Sequence, residues 1–79
     1  MQKNDIIKIV NDFLTEEFEI NSDKLIPEAN LVQDLDIESL DFVDIVVLIE
    51  KKFGFKVKRE EMMEVKTLAD LYNYIESKV

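Results

Sequence analysis

The sequence predicts an all-α fold: a small bundle of three main helices plus one short helix, with a long structured loop between helices one and two. Three observations predict it. Apolar residues recur at helical spacing in three separate stretches, which lines one face of each with core residues. No strand-like alternation of apolar and polar residues persists anywhere. The 79 residues leave room for a single domain, 1–79, and at this size only about 60 % of the unfolded surface can be buried, so the core is modest.

The first helix is expected over roughly 4–18, where Ile6, Ile7, Val10, Phe13, Leu14 and Phe18 share a face, Asn4 caps the start and Asp5 lies in the first turn. It reads as a core-packing helix without chemistry. Residues 19–38 lack sustained periodicity and contain the single proline, Pro27, with Asn21, Ser22, Asp23 and Asn30. A connection of that length is either functional or pinned by its own apolar residues, and Leu25, Ile26, Leu31, Leu35 and Ile37 predict pinning. Ser22 to Leu25 is expected to form a short helical turn.

The central helix starts at Ser39, read as an N-cap, with Asp41 and Asp44 near the positive end of the dipole. At 100° per residue its apolar residues form two stripes. Phe42, Ile45, Val46, Ile49 and Phe53 make the core stripe. Leu40, Val43 and Val47 fall on another face, which a chain this short rarely buries, and with Asp41, Asp44 and Glu50 around them they suggest a docking surface. Gly54 is a natural left-handed terminator, and Lys51 and Lys52 suit the last turn. Beyond Phe55 and Val57, Arg59 to Glu64 predict a short third helix, the least stable element, since Lys58 is a poor cap. Thr67 and Asp70 resemble a capping box, opening a final helix over roughly 67–78 on Leu68, Leu71, Tyr72 and Ile75, with Val79 at its end.

Composition excludes several functions. There is no cysteine and no histidine, hence no thiolate metal site, no disulfide and none of the usual proton shuttles, which argues against an enzyme. The longest apolar run, Ile45 to Ile49, is far short of the roughly 20 residues of a membrane span. The N-terminal residues lack the apolar stretch of a signal peptide, so cytoplasmic residence is expected. A net charge of −8 opposes nucleic-acid binding. The charge is also polarised: seven acids and no base lie between Leu25 and Glu50, and Lys51, Lys52, Lys56, Lys58 and Arg59 follow. Such polarity steers a basic partner toward the Ser39 end, although a solvated charged face is the plainer reading of most charge runs. Asp34, Asp36 and Glu38 alternate as in half a calcium loop, but Ser39 stands where that loop needs glycine and Ile45 where it needs glutamate, so no dedicated metal site is expected. Met62 and Met63 read as core filler or partner contact.

A phosphate esterified to Ser39 would lie beside free N–H groups and the positive dipole end. The stretch Asp34-Leu35-Asp36-Ile37-Glu38-Ser39-Leu40-Asp41, with Val43, Asp44, Ile45, Val46, Phe53-Gly54-Phe55 and Tyr74-Ile75, resembles the acyl carrier protein family of the free-standing bacterial or organellar type. The resemblance runs over essentially the whole chain. In that family the serine of an Asp-Ser-Leu motif carries 4′-phosphopantetheine, whose thiol bears an acyl chain. The resemblance therefore implies attachment at Ser39, flanked by Glu38 and Leu40, and an acyl cavity along Phe42, Ile45, Val46 and Ile49. It implies a recognition surface of Leu40, Val43, Val47 and Val57 with Asp41, Asp44, Glu50, Glu60 and Glu61. That surface would meet a phosphopantetheinyl transferase and basic surfaces of acyl-transferring or condensing enzymes. A non-catalytic monomer serving fatty-acid, polyketide or related biosynthesis is what the family leads one to expect. Glu38 stands in place of the usual Asp, Asp36 in place of the common Gly, and Phe42 in place of a small polar residue. Lys51, Lys52, Lys58 and Arg59 stand where fatty-acid carriers tend to be acidic or carry proline, which points to a specialised carrier. The alternative is a small acidic adaptor that binds a basic partner without a cofactor.

Overall fold

The computed structural model describes residues 1–79. Its first helix, α1, spans Lys3–Phe18. Gln2, not Asn4, occupies the cap position, because its carbonyl already accepts the N–H groups of Asp5 and Ile6. The helix stops at Glu19, whose φ of 54° puts it in the left-handed region, and the N–H of Ile20 returns to the Leu14 carbonyl. Ile6, Val10, Phe13 and Leu14 are its buried stripe, each side chain contributing about 1.5–3 kcal/mol by leaving water.

The helical turn predicted near Ser22 is a 3₁₀ turn, Ser22–Lys24, with the Asn21 side chain accepting the N–H of Asp23 at 3.0 Å. The rest of the loop is pinned as expected, with differences in which residues do it. Leu31, Leu35 and Ile37 are buried and Ala29 joins them, whereas Leu25 is half-buried and Ile26 stays 50 % exposed. A polar frame shapes the loop. Asn30 Oδ1 accepts the N–H groups of Val32 and Gln33 at 3.0 and 2.9 Å, and Asp34 Oδ2 accepts that of Asn30 at 2.7 Å. Asp36 then turns the chain with φ 56°, a conformation that Asp tolerates better than most residues.

The second helix, α2, spans Ser39–Phe53 and ends on Gly54 at φ 77°, as its sequence predicts. α3 is a single turn, Arg59–Met62, without a side-chain cap. It stops short of Glu64 because the N–H groups of Glu64 and Val65 tighten onto the carbonyls of Glu61 and Met62, three residues back, which carries Val65 into the core. α4 spans Leu68–Lys78 behind the expected capping box: Thr67 accepts the Asp70 N–H at 3.2 Å, and Asp70 accepts that of Thr67 at 3.1 Å. Leu68, Leu71, Tyr72 and Ile75 are buried, while Val79 remains 44 % exposed outside the stripe.

α1 packs against α4 and α2. Tyr72 donates its hydroxyl hydrogen to Asn11 Oδ1 across α1 and α4, and Lys3 in the first turn of α1 reaches Asn73. The loop is bonded to the start of α4 through main chain alone: Leu31 N–H to Lys66 C=O at 2.9 Å, Leu68 N–H to Ala29 C=O at 3.0 Å, Ala69 N–H to Pro27 C=O at 2.9 Å. Two first-turn amides of α4, which no helical carbonyl can serve, thus find acceptors in the loop. One core results, built from all four helices and the loop.

Candidate functional site

The loop ends and α2 begins at Ser39, which is exposed. The cap position belongs to Glu38 (φ −91°, ψ 167°), one residue earlier than the sequence suggests, because the Glu38 carbonyl accepts the first helical N–H, from Phe42. Asp41 Oδ2 accepts the Glu38 N–H at 3.1 Å. The helix start is therefore held by Glu38 and Asp41, which leaves the Ser39 hydroxyl out of the capping bonds. Buried Ile45 and Ile49 seat the helix on the core, and Leu40, Val43 and Val47 are 78, 60 and 54 % exposed, as the wheel predicts.

Ser39 stands between two concavities. The larger, of about 690 Å³, is walled on one side by Phe42, Val43, Val46 and Val47 of α2. Val57, Met62, Met63 and Val65 close the opposite side, Leu31 and Val32 the floor, and Asn30, Ser39, Arg59 and Lys66 supply its polar groups. The smaller, of about 510 Å³, is lined by Val32, Asp36, Ile37, Glu38, Ser39 and Phe42. Of the residues expected along a cavity, Phe42 and Val46 line it. Ile45 and Ile49 do not, since they turn fully into the core. The two stripes of α2 meet on this cavity: Val43 and Val47 are both exposed and part of its wall.

The acids expected on a recognition surface divide. Asp44 and Glu60 are exposed, and Asp41 serves the helix start. Glu50 Oε2 instead accepts the Val57 N–H at 2.9 Å, holding the chain that leads into α3. Glu61 accepts from the Tyr74 hydroxyl and from Lys78 Nζ, both at 3.0 Å, which ties α3 to α4. Lys78 and then Tyr74 hold the Glu61 carboxyl below its ordinary value. Burial, followed by the bond to Glu61, pushes the Tyr74 phenol up. Its ring meets Phe55 edge-on, centroids 6.0 Å apart. Arg59 and Lys66 had no site role in the sequence reading; only Arg59 carried a signal, as a cation where related carriers differ. No helix is long and apolar enough to cross a membrane.

Residues 6–75 match the family model described as phosphopantetheine attachment site. The chain belongs to the acyl carrier protein family. It is 30 % identical over 79 residues to the acyl carrier protein of Thermosynechococcus vestitus, covering 100 % of this chain and 98 % of that one. The acyl carrier protein of Lactobacillus acidophilus is 30 % identical over 77 residues, 98 % of this chain and 96 % of its own. That of Thermotoga maritima is 32 % identical over 77 residues, 98 and 95 % of the two chains. The family's cofactor is 4′-phosphopantetheine, and the all-helical fold with no strand is that of a small acyl carrier protein.

Proposed function

We propose that this acyl carrier protein bears 4′-phosphopantetheine on Ser39 and carries acyl groups as thioesters between biosynthetic enzymes, without catalysing a reaction itself. The observation that carries the reading is Ser39: an exposed hydroxyl, outside the capping bonds, at the first residue of a 15-residue helix and on the rim of a 690 Å³ cavity lined mostly by apolar residues. The residues fit the group. The first-turn N–H groups of α2 and its dipole favour a phosphate ester there, and the cavity begins where the ester is anchored. When bound, the group supplies the thiol that forms the thioester, and the chain has no cysteine to compete for the acyl group. Phe42, Val43, Val46 and Val47 shelter an alkyl chain from water, each buried methylene contributing about 0.8 kcal/mol before any cost of widening the cavity.

Leu40, Val43 and Val47 with Asp41, Asp44 and Glu60 form the docking surface for basic faces of the phosphopantetheinyl transferase and of the acyl-transferring or condensing enzymes. Glu38 and Leu40 flank the attachment point. The protein works in the cytoplasm as a monomer of one domain. Incubation with coenzyme A, magnesium and a broad-specificity transferase adds one phosphopantetheinyl group by intact mass, and Ser39→Ala abolishes the addition. No mass change with several transferases would favour the small acidic adaptor. Asp44→Lys slows modification in a salt-dependent way and Glu16→Lys does not; equal effects would reduce recognition to net charge.

A further inference from the structure

Ser39 separates two concavities of opposite charge. The smaller groove is lined by Asp36 and Glu38, and the larger cavity by Arg59 and Lys66. The ion pairs of the molecule are Lys8 with Asp12 and Lys78 with Glu61, so both cavity cations lack a carboxylate within pairing distance. They stand in a lining where 10 of 14 residues are apolar, on a chain whose net charge is −8. A cation beside apolar surface, with its charge unanswered by the protein, suits an amphiphile with an apolar body and an anionic oxygen group.

We propose that Arg59 and Lys66 make the cavity selective for an acyl chain that carries a carboxylate, the alkyl body lying along Phe42, Val46 and Met62 and the anionic oxygens meeting the two cations. As a statement about cargo, this rests on the carrier reading above. The chemistry belongs to any anionic oxygen group, so the phosphodiester of the arm on Ser39 is the competing source.

The test uses the unmodified protein with three probes that share a ten-carbon chain, decanoate, decanol and decyltrimethylammonium, binding being followed by amide chemical shifts of the cavity residues. The net charge of −8 repels the anion and attracts the ammonium, so only local cations can reverse that order. Decanoate is expected to bind about three- to tenfold tighter than decanol, the range two screened surface cations support, with the margin shrinking in salt. Arg59→Gln with Lys66→Gln removes the margin, so that decanoate binds no tighter than decanol, while Arg59→Lys retains most of it. Both side chains are exposed, and an unchanged Tm confirms that the variants fold. Equal binding of decanoate and decanol, or tighter binding of the ammonium, overturns the proposal. The measurement is then repeated on phosphopantetheinylated protein: a margin that survives supports the cargo carboxylate, and one that vanishes overturns it in favour of the phosphodiester. Failure of Ser39 to be modified leaves the first arm intact, so the two readings fail separately.

Discussion

Two irregular stretches enclose the cavity, and they are held in different ways. The loop between α1 and α2 forms the floor, with Ala29, Leu31, Leu35 and Ile37 buried and main-chain bonds running to Lys66, Leu68 and Ala69. The stretch from Phe55 to Val65 forms the far wall, with Met62 and Val65 buried and polar ties made through the side chains of Glu50, Glu61, Tyr74 and Lys78. Main-chain bonds survive any single substitution outside proline, whereas each side-chain tie depends on one residue. The loop's ties to α4 do not depend on side-chain identity, and those of the wall do.

The largest effect that breaks this contrast comes from the floor. Leu31 is 1 % exposed, and Leu31→Ala should cost about 2–5 kcal/mol through lost transfer energy and the cavity left behind. Tm should fall by on the order of 10 °C or more in a thermal melt. A loss no larger than that of Met63→Ala, whose side chain is 69 % exposed, would mean that the floor is held no better than the wall. Tyr74→Phe addresses the wall. It keeps the ring edge against Phe55 but removes the hydroxyl that donates to Glu61 and accepts from the Lys58 N–H at 3.4 Å. Stability should fall by about 1 kcal/mol. Amide exchange should quicken across residues 57–63 and not across 29–37; uniform acceleration would make wall and floor one cooperative unit.

Asp36→Gly should stabilise the floor by up to about 1 kcal/mol, since glycine adopts φ 56° without the side-chain penalty. Asp36→Asn is the control, because Asn removes the charge and keeps the left-handed tolerance. An equal gain from both would assign the effect to relief of the −8 net charge.

The smallest effect is in pH. N–H donation from Thr67 and Lys66 holds the Asp70 carboxyl below its ordinary 3.8, and Lys78 with Tyr74 holds Glu61 below 4.5. Both folded values are depressed, so their stabilisation is present above the ordinary carboxylate range and is lost as pH falls through the folded values. Denaturant melts at pH 7 and pH 3 should show Asp70→Asn and Glu61→Gln differing from the parent chain more at the higher pH than at the lower. Salt should shrink the Glu61→Gln difference, which involves an exposed ion pair, more than the Asp70→Asn one.

Much of this was legible in the sequence, for a physical reason. Helical period, the Gly54 stop, the Thr67–Asp70 box and three of the five apolar pins of the loop, Leu31, Leu35 and Ile37, are local or periodic signals that the structure reproduces. The start residues differ at α1 and α2 because a cap is set by backbone angles and by whose carbonyl opens the ladder, which Asn4 and Ser39 do not announce by type. The concavity beside Ser39 takes Val43 and Val47 into its lining, which the sequence did not announce, because a wheel gives angles about one axis and not where the next segment lies. Glu50 and Glu61 looked like surface acids because their partners, Val57 and Tyr74, lie 7 and 13 residues away, a separation with no periodic signature.

The bonds between the loop and the start of α4 also have a history along the chain. The carbonyls of Pro27 and Ala29 receive the amides of Ala69 and Leu68, some forty positions later. Synthesis proceeds from the N-terminus, so the loop emerges long before the residues that lock it. Loop closure over that separation carries an entropic cost that must be met before the contacts form. Ser39 therefore emerges before its surroundings are finished, and the loop is not locked until residues 65–69 arrive. Amides 68 and 69 should gain protection together with amide 31 in pulse-labelled refolding, as a single late step.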